Sequence, residues 1–189
     1  MARSTLSGAV VRWVFGHAPG VLPVRRVRET TRVVVFSHPR PSAATHLLLV
    51  PKIGVRGVLD VDDRVVPFVH EVVLVANDIA RRLATPLCLI VNGGASQDVQ
   101  QLHVHLLSAQ EASLAARDTH VVLRPEGADR DLSDPRGLWE VIRAAQELVA
   151  HLDLARPGFS LIVAGSAAGL DLSRVHLVSG RRRGLREAA

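Results

Sequence analysis

The second half of this 189-residue chain repeats the residue pattern of the first half. Residues 134–165 can be laid over residues 62–93 without a gap, at a constant separation of 72 positions. After one deletion, residues 175–179 fall on residues 104–108. The pattern indicates a duplicated strand–helix–strand–strand unit rather than a long solenoid, which needs at least three units. The alternative is that any two apolar strand–helix–strand units look alike.

The hydrophobic pattern of the first unit predicts four strands and one long helix. Short aliphatic runs at 33–36 and 46–50, separated by a proline-containing turn, are typical of two strands. Apolar residues recur at helical spacing from about 63 to 83, which predicts a helix. Two further strands are expected at 87–91 and 101–107, joined by a glycine-containing turn at 92–96.

Charge and cysteine content limit the possible partners. The net charge is +5, but residues 180–189 alone carry +3, which leaves only +2 for the rest of the chain. We therefore expect a solvated basic tail at 181–189 and no nucleic-acid partner. Cys88 is the only cysteine, so an intrachain disulfide is excluded. Because the sequence shows no secretory signal and no apolar run long enough for a membrane span, we expect a cytoplasmic protein without membrane contact.

Two histidines, His103 and His105, stand two positions apart in the last predicted strand of the first unit. Residues i and i+2 of a strand share a face, so with Gln101 they would form a polar row spaced about 7 Å apart. Such a row is costly to bury without partners or a function. Three interpretations compete: a nucleophile with a helper, a metal site completed by a residue such as His46, or structural histidines.

The segments around the histidine pair carry a specific motif. The chain reads Thr-His-Leu-Leu-Leu-Val-Pro-Lys at 45–52, then a helix, then Leu-Ile-Val-Asn at 89–92. Gln-Asp-Val-Gln-Gln-Leu-His-Val-His follows at 97–105, after a small-residue turn able to offer backbone N–H groups to an anion. In order and spacing these segments resemble the histidine triad (HIT) family of nucleotidyl hydrolases and transferases.

The resemblance implies an α+β fold on an antiparallel sheet with helices, arranged as a two-fold pair. We expect a HIT-like domain at 1–110 and a degenerate HIT-like repeat at 111–180 packed on it, as an intrachain pseudo-dimer, although a homodimer remains possible. The resemblance makes His103 the nucleophile that forms a covalent nucleotidyl intermediate and passes the group to water. It makes His105 a hydrogen-bonding partner of the phosphate or leaving group. The supporting positions that it implies are His46 for the catalytic group, and Asn92 and Gln97 for phosphate contacts; no metal or cofactor is needed.

Three residues depart from the family pattern. Gln101 stands where the first histidine of the triad belongs, and an amide cannot carry a proton. His38 occupies the position of an acidic residue that contacts ribose hydroxyls, and Asp98 replaces a serine or threonine beside the phosphate. These departures suggest a substrate other than a plain purine nucleotide, or a weakened enzyme.

Three functions therefore compete for this chain. The first is a phosphoramidate or nucleotide hydrolase, or a nucleotidyl transferase, acting on a small molecule. The second is a HIT-fold enzyme for a non-nucleotide substrate, and the third is a non-catalytic nucleotide-binding module. In the second unit Arg174 stands opposite His103, and we consider that its guanidinium could reach the first unit's site.

Overall fold

In the computed structural model, the chain forms one antiparallel sheet of eight strands with two helices. The structure describes residues 26–108, 117–127 and 130–182. The sheet order is β1-β2-β3-β5-β4-β7-β10-β6, and β8 and β9 form a separate two-stranded hairpin. The strands are β1 Arg26–Glu29, β2 Val33–Ser37, β3 His46–Pro51, β4 Cys88–Gly93, β5 Val104–Leu107, β6 Arg117–Leu123, β7 Phe159–Val163, β8 Gly165–Ser166, β9 Gly169–Leu170 and β10 Val175–Arg182. The predicted α+β class with an antiparallel sheet is confirmed.

The two helices occupy corresponding places in the two halves of the chain. Helix α1 spans Val66–Leu83, and helix α2 spans Pro135–His151. Asp134 caps α2 by accepting hydrogen bonds from the first free backbone N–H groups, which otherwise lack a partner in the helix. Helix α1 begins later than predicted, because Asp62 first closes a turn by accepting from the backbone N–H of Val65. Neither helix within the described residues is long and apolar enough to cross a membrane.

The central strand pair relates the two halves by a local two-fold axis. Ile90 of β4 lies opposite Ile162 of β7, and these two positions are 72 residues apart. On one side of Ile90, Leu89 pairs with Val163; on the other side, Val91 pairs with Leu161. A separation of 72 positions relates Leu89 to Leu161 and Val91 to Val163, so the two pairs exchange under the two-fold rotation. The order β3-β5-β4 is likewise mirrored by β7-β10-β6. Residues that correspond in the two repeats, Ile90 and Ile162, therefore lie directly opposite each other in the central strand pair.

The two faces of the sheet have different roles. Side chains such as Leu49, Leu106 and Leu177 belong to the main core together with the helices. The opposite face carries a row of directly paired residues that crosses the sheet: Leu48, His105, Ile90, Ile162 and His176. Because side chains alternate between faces, this row places the two histidines on the side away from the main core. Three strand spacings separate them, which corresponds to about 14 Å.

The last predicted strand of the first unit is shorter than expected. Strand β5 begins at Val104, so Gln101 and His103 precede it instead of lying within it. The backbone N–H of Leu102 bonds to the carbonyl of Val55 at 2.8 Å, which ties this stretch to the loop after β3 rather than to a neighbouring strand. The predicted regular polar row was therefore wrong, and the rings of His103 and His105 lie only 5.1 Å apart, edge to face.

Candidate active site

The histidine pair opens onto a cavity of about 380 Å³ on the open face of the sheet. The end of β2 and the turn after it form one wall, the turn after β4 forms a second, and residues 98–105 form a third. Of the residues singled out from the sequence, the cavity wall contains His38, Asn92, Asp98, Gln101, His103 and His105. The fold thus brings together groups that lie up to 67 positions apart in the chain.

The hydrogen bonds of His103 fix which ring nitrogen is available. Its Nδ1 lies 2.7 Å from the carbonyl oxygen of Gln101, which can only accept. Nδ1 therefore carries the proton, and the lone pair is on Nε2. Burial lowers the pKa of His103, against a smaller opposite effect of the same hydrogen bond, so the ring is neutral near pH 7. A neutral imidazole with a free lone pair is a competent nucleophile.

His105 has the opposite tautomer to His103, and the hydrogen bonds that link Ser42, His46 and His105 determine it. The backbone N–H of Ser42 donates to Nδ1 of His46 at 3.2 Å, so the proton of His46 is on Nε2. This Nε2 donates to Nδ1 of His105 at 2.9 Å, which leaves the proton of His105 on its own Nε2. Burial, and then the neighbouring histidines, lower the pKa of His105 to about 3. The adjacent rings of His103 and His105 thus offer one lone pair and one N–H donor.

His38 is stacked on His46, with ring centroids 3.9 Å apart and an angle of 12° between the rings. Together with His105 these rings form a close group with ligand atoms within 4.8 Å of one another. The backbone N–H of Arg40 donates to Nδ1 of His38, as Ser42 does to His46, so both rings carry their proton on Nε2. A metal ligand must offer a lone pair. The hydrogen bonds therefore disfavour a metal ion held by Nε2 of His38 and His46.

The turn after β4 is supported by the second half of the chain. A Cβ atom on Gly93 would lie 2.2 Å from Cζ of Phe159, and one on Gly94 would lie 2.2 Å from the carbonyl oxygen of Ala155. Gly94 also has a φ of +59°, which favours glycine. Asn92 accepts a hydrogen bond from the hydroxyl of Ser160 at 2.7 Å. This bond uses its carbonyl oxygen and leaves the amide NH₂ as the donor that Asn92 can offer to a ligand.

Two glutamines have structural partners that the motif did not reveal. The amide of Gln97 donates to the carbonyls of Arg56 at 2.6 Å and Val99 at 2.8 Å, and among the described residues it is not part of the cavity wall. This placement does not suit its expected phosphate contact. Gln101 is 1% exposed and donates to the carbonyl of Ile53 at 3.0 Å. Its Oε1 has no hydrogen-bond partner among the described residues.

Arg174 does not take part in this site. It lines a different cavity beside β10, about three strand spacings from β5, and pairs there with Asp171. The hypothesis that its guanidinium reaches the first unit's site was therefore wrong. The pseudo-two-fold arrangement places corresponding residues of the two halves on opposite sides of the axis, rather than in one pocket.

Sequence reasoning missed the supporting residues Ser42, Ala155, Phe159 and Ser160. Ser160 lies 68 positions from Asn92 and falls outside the motif, so no local pattern pointed to it. The repeat does contain an indirect signal. If the two repeats are assumed to pack around a two-fold axis, the strand that contains Asn92 lies beside the corresponding strand of the second repeat, which contains Ser160.

Comparisons with known proteins agree on the family. A HIT domain model matches residues 20–112. The chain is 30% identical over 96 residues to a 14 kDa zinc-binding protein of Zea mays, a match that covers 48% of this chain and 75% of the relative. It is 27% identical over 96 residues to adenylylsulfatase HINT1 of Arabidopsis thaliana, covering 48% and 65% respectively.

A solved structure extends the likeness to the second half. A GalT-like protein of Arabidopsis thaliana superposes with a TM-score of 0.61 over 91% of this chain and 83% of its own, at 8% identity. At this identity the likeness concerns the fold alone. The family model covers the first half with its histidine cavity, and the identity to the maize relative extends over three quarters of that protein. The chain belongs to the histidine triad family.

Proposed function

We propose that this chain is a hydrolase or nucleotidyl transferase that works through a covalent intermediate on His103. The observation that carries the proposal is the pair of opposite tautomers in one cavity: a lone pair on Nε2 of His103 and an N–H on Nε2 of His105. Adenylyl sulfate chemistry is named for one relative, HINT1 of Arabidopsis thaliana. Membership of the family supports the same general kind of reaction.

In the first step, Nε2 of His103 attacks the α-phosphorus and the bond from phosphorus to the leaving group breaks. The electron pair of that bond departs with the leaving group. The positive charge that develops on the His103 ring is stabilised by its Nδ1–H bond to the Gln101 carbonyl. The N–H of His105 and the amide NH₂ of Asn92 are the candidate donors to the phosphoryl oxygens, where charge accumulates.

In the second step, water attacks the phosphorus, the P–N bond to His103 breaks, and its electron pair returns to Nε2, which restores the neutral imidazole. The attacking water releases one proton to solvent, and the nucleotide leaves as its phosphate. His105 is neutral in the free protein, since its pKa is about 3, so it serves as a hydrogen-bond donor rather than a proton reservoir. A leaving group that departs as an anion needs no proton. We therefore expect anhydride substrates to react faster than phosphoramidates.

The same cavity supports a second candidate, a HIT-fold enzyme for a non-nucleotide small-molecule substrate. His38 and Asp98 both line the wall. A carboxylate at Asp98 repels a phosphate placed beside it, and an imidazole at His38 cannot accept hydrogen bonds from two ribose hydroxyls as a carboxylate can. The zinc named for the maize relative does not fit the tautomers of His38 and His46, so zinc has no part in the proposal.

The arrangement of the chain is part of the proposal. We place a catalytic HIT unit in residues 1–110 and a non-catalytic second unit in residues 111–180, with the basic segment 181–189 after it. The β4–β7 pair then joins two halves of one chain as an intrachain pseudo-dimer. Phe159 packs on the end of β4 and Ala155 on the turn after it, which supports a structural role for the second unit at the first unit's site.

The decisive experiment compares the chain with its His103→Ala variant on three substrates. These are adenosine 5′-phosphosulfate, an adenosine phosphoramidate and a dinucleoside polyphosphate. We expect turnover that His103→Ala abolishes and a nucleotidyl adduct on His103 in the quenched protein, detected by mass spectrometry. His151→Ala, at an exposed position on α2, is the matched control. Turnover that survives in His103→Ala would contradict the nucleophile, and nucleotide binding without turnover would favour a binding module.

A further inference from the structure

The second half of the chain contains its own cavity, which no part of the proposed reaction uses. It has a volume of about 380 Å³, like the first cavity, and lies between the β8–β9 hairpin and the start of β10. Arg174 and His176 line it together with Asp171 and the small residues Ala164 and Gly165. None of the residues in its wall belongs to the first cavity.

Three lining residues of the second cavity, Ala164, Arg174 and His176, have counterparts that line the first cavity. Arg174 directly precedes β10, as His103 directly precedes β5, and His176 follows two positions later, as His105 does. Ala164 and Gly165 stand 72 positions after Asn92 and Gly93. The strands that these residues begin or belong to, β5 and β10, lie on opposite sides of the central β4–β7 pair.

The second half keeps a histidine couple with the same geometry as the first. Nε2 of His120 lies 2.9 Å from Nδ1 of His176, with ring centroids 5.2 Å apart. The distances between His46 and His105 are the same, 2.9 Å and 5.2 Å. The degenerate half has therefore lost the nucleophile but not the ring that stands beside it.

Arg174 is held in place by a carboxylate that is itself fixed. Its Nε donates to one oxygen of Asp171, and the other oxygen accepts from the backbone N–H and the hydroxyl of Ser173, at 3.2 Å and 2.6 Å. The bond at Nε leaves the two terminal nitrogens of the guanidinium, which form the fork that binds oxyanions in a bidentate manner. A guanidinium stays protonated in proteins, so it can bind a phosphate but cannot attack it.

We propose that the second cavity binds the phosphate group of a small phosphorylated molecule without cleaving it. Arg174 supplies the charged fork, and His176 stands at the position of the ring that we expect to contact phosphate in the first half. The short side chains of Ala164 and Gly165 leave room where the first half presents Asn92. Because Asp171 shares the guanidinium, we expect binding to be weaker than at an unpaired arginine.

The test is a calorimetric titration of the full chain carrying His103→Ala, which prevents turnover, with AMP as the probe. We expect a binding event that Arg174→Gln weakens by at least about tenfold, the loss of one charge-assisted hydrogen bond. Arg143→Gln, which removes an exposed arginine of α2, leaves this event unchanged. If no AMP binding event depends on Arg174, the proposal is overturned.

Competition identifies what the site recognises. Inorganic phosphate displaces AMP from the Arg174-dependent site, whereas adenosine does not; displacement by adenosine alone would overturn the assignment to phosphate. If Arg174→Gln does not fold, Arg174→Lys keeps the charge but removes the fork, and it must weaken binding for the proposal to stand. The result does not depend on the reaction proposed for His103, since a chain without turnover would still show Arg174-dependent binding.

Discussion

The neutral state of His105 makes the stability of the fold depend on pH in a defined direction. Burial lowers its pKa to about 3, with smaller contributions from His103, His46 and His38. In the unfolded chain a histidine has a pKa of about 6.5. A folded value below the unfolded value stabilises the protein above pH 6.5, and this contribution is lost as the pH falls toward the folded value.

The size of the loss follows from these two values. Between pH 7.5 and pH 4.5 the unfolded chain takes up almost a full proton at this position, whereas the folded protein takes up almost none. Linkage then lowers the free energy of unfolding by at most about 2.7 kcal/mol. Because His105 lines an open cavity and is only partly buried, we expect water to reduce the effect to about 1.5–2.5 kcal/mol.

Urea unfolding at both pH values, in the original chain and in His105→Gln, isolates this contribution. The original chain should lose about 1.5–2.5 kcal/mol more than the variant between pH 7.5 and 4.5. His151→Gln, at an exposed position on α2, controls for the removal of an imidazole as such. Equal losses in the original chain and in His105→Gln would refute the assignment of His105 as a partly buried neutral ring.

Four further substitutions test the contacts around the site. His46→Phe removes the donor to Nδ1 of His105, so we expect the free energy of unfolding to fall by about 1–3 kcal/mol and the turnover rate to fall. His46→Gln keeps a donor and should retain more of the stability and more of the turnover. Urea titration and steady-state rates measure the two effects. Ser160→Ala removes the hydroxyl that holds the side-chain amide of Asn92. We expect KM to rise more than kcat falls, and the free energy of unfolding to change by no more than about 1.5 kcal/mol. An unchanged KM would contradict the positioning of Asn92 by Ser160. Gly93→Ala places a Cβ atom against the ring of Phe159 and should cost about 1–3 kcal/mol in urea unfolding, of which Phe159→Leu in the same chain restores a part. Asp134→Ala removes the cap of α2 and should cost about 1 kcal/mol of unfolding free energy without changing KM, since α2 does not line the cavity.

The errors in the sequence interpretation have one common cause. Alternation correctly predicted that His105 lies on a strand, but it also placed His103 and Gln101 there, although both precede β5. Gln97 matched the motif, yet its amide binds the carbonyl of Arg56, 41 positions away. Periodicity reports which face a residue occupies within an element, whereas the partner of a polar group depends on chain segments that are distant in sequence.

The sequence by itself determined most of the strands and helices. It also indicated that the two halves of the chain repeat the same unit. The aliphatic runs and the helical spacing required a sheet covered by helices, and the separation of 72 between the repeats is the separation of Ile90 and Ile162 in the central strand pair. The motif also singled out His103 and His105, and both line the cavity. These features are local or periodic, so they can be read along the chain.

Only the tertiary structure decided which nitrogen of each ring is free and what surrounds it. The lone pair of His103 follows from the carbonyl of Gln101, and the proton of His105 follows from a path through His46 to the backbone of Ser42. The second cavity at Arg174 likewise exists only because the two-fold arrangement separates the halves instead of merging their sites. Tautomers and pockets depend on contacts between distant segments, and a hydrogen bond acts only over about 3 Å in space, whatever the separation in sequence.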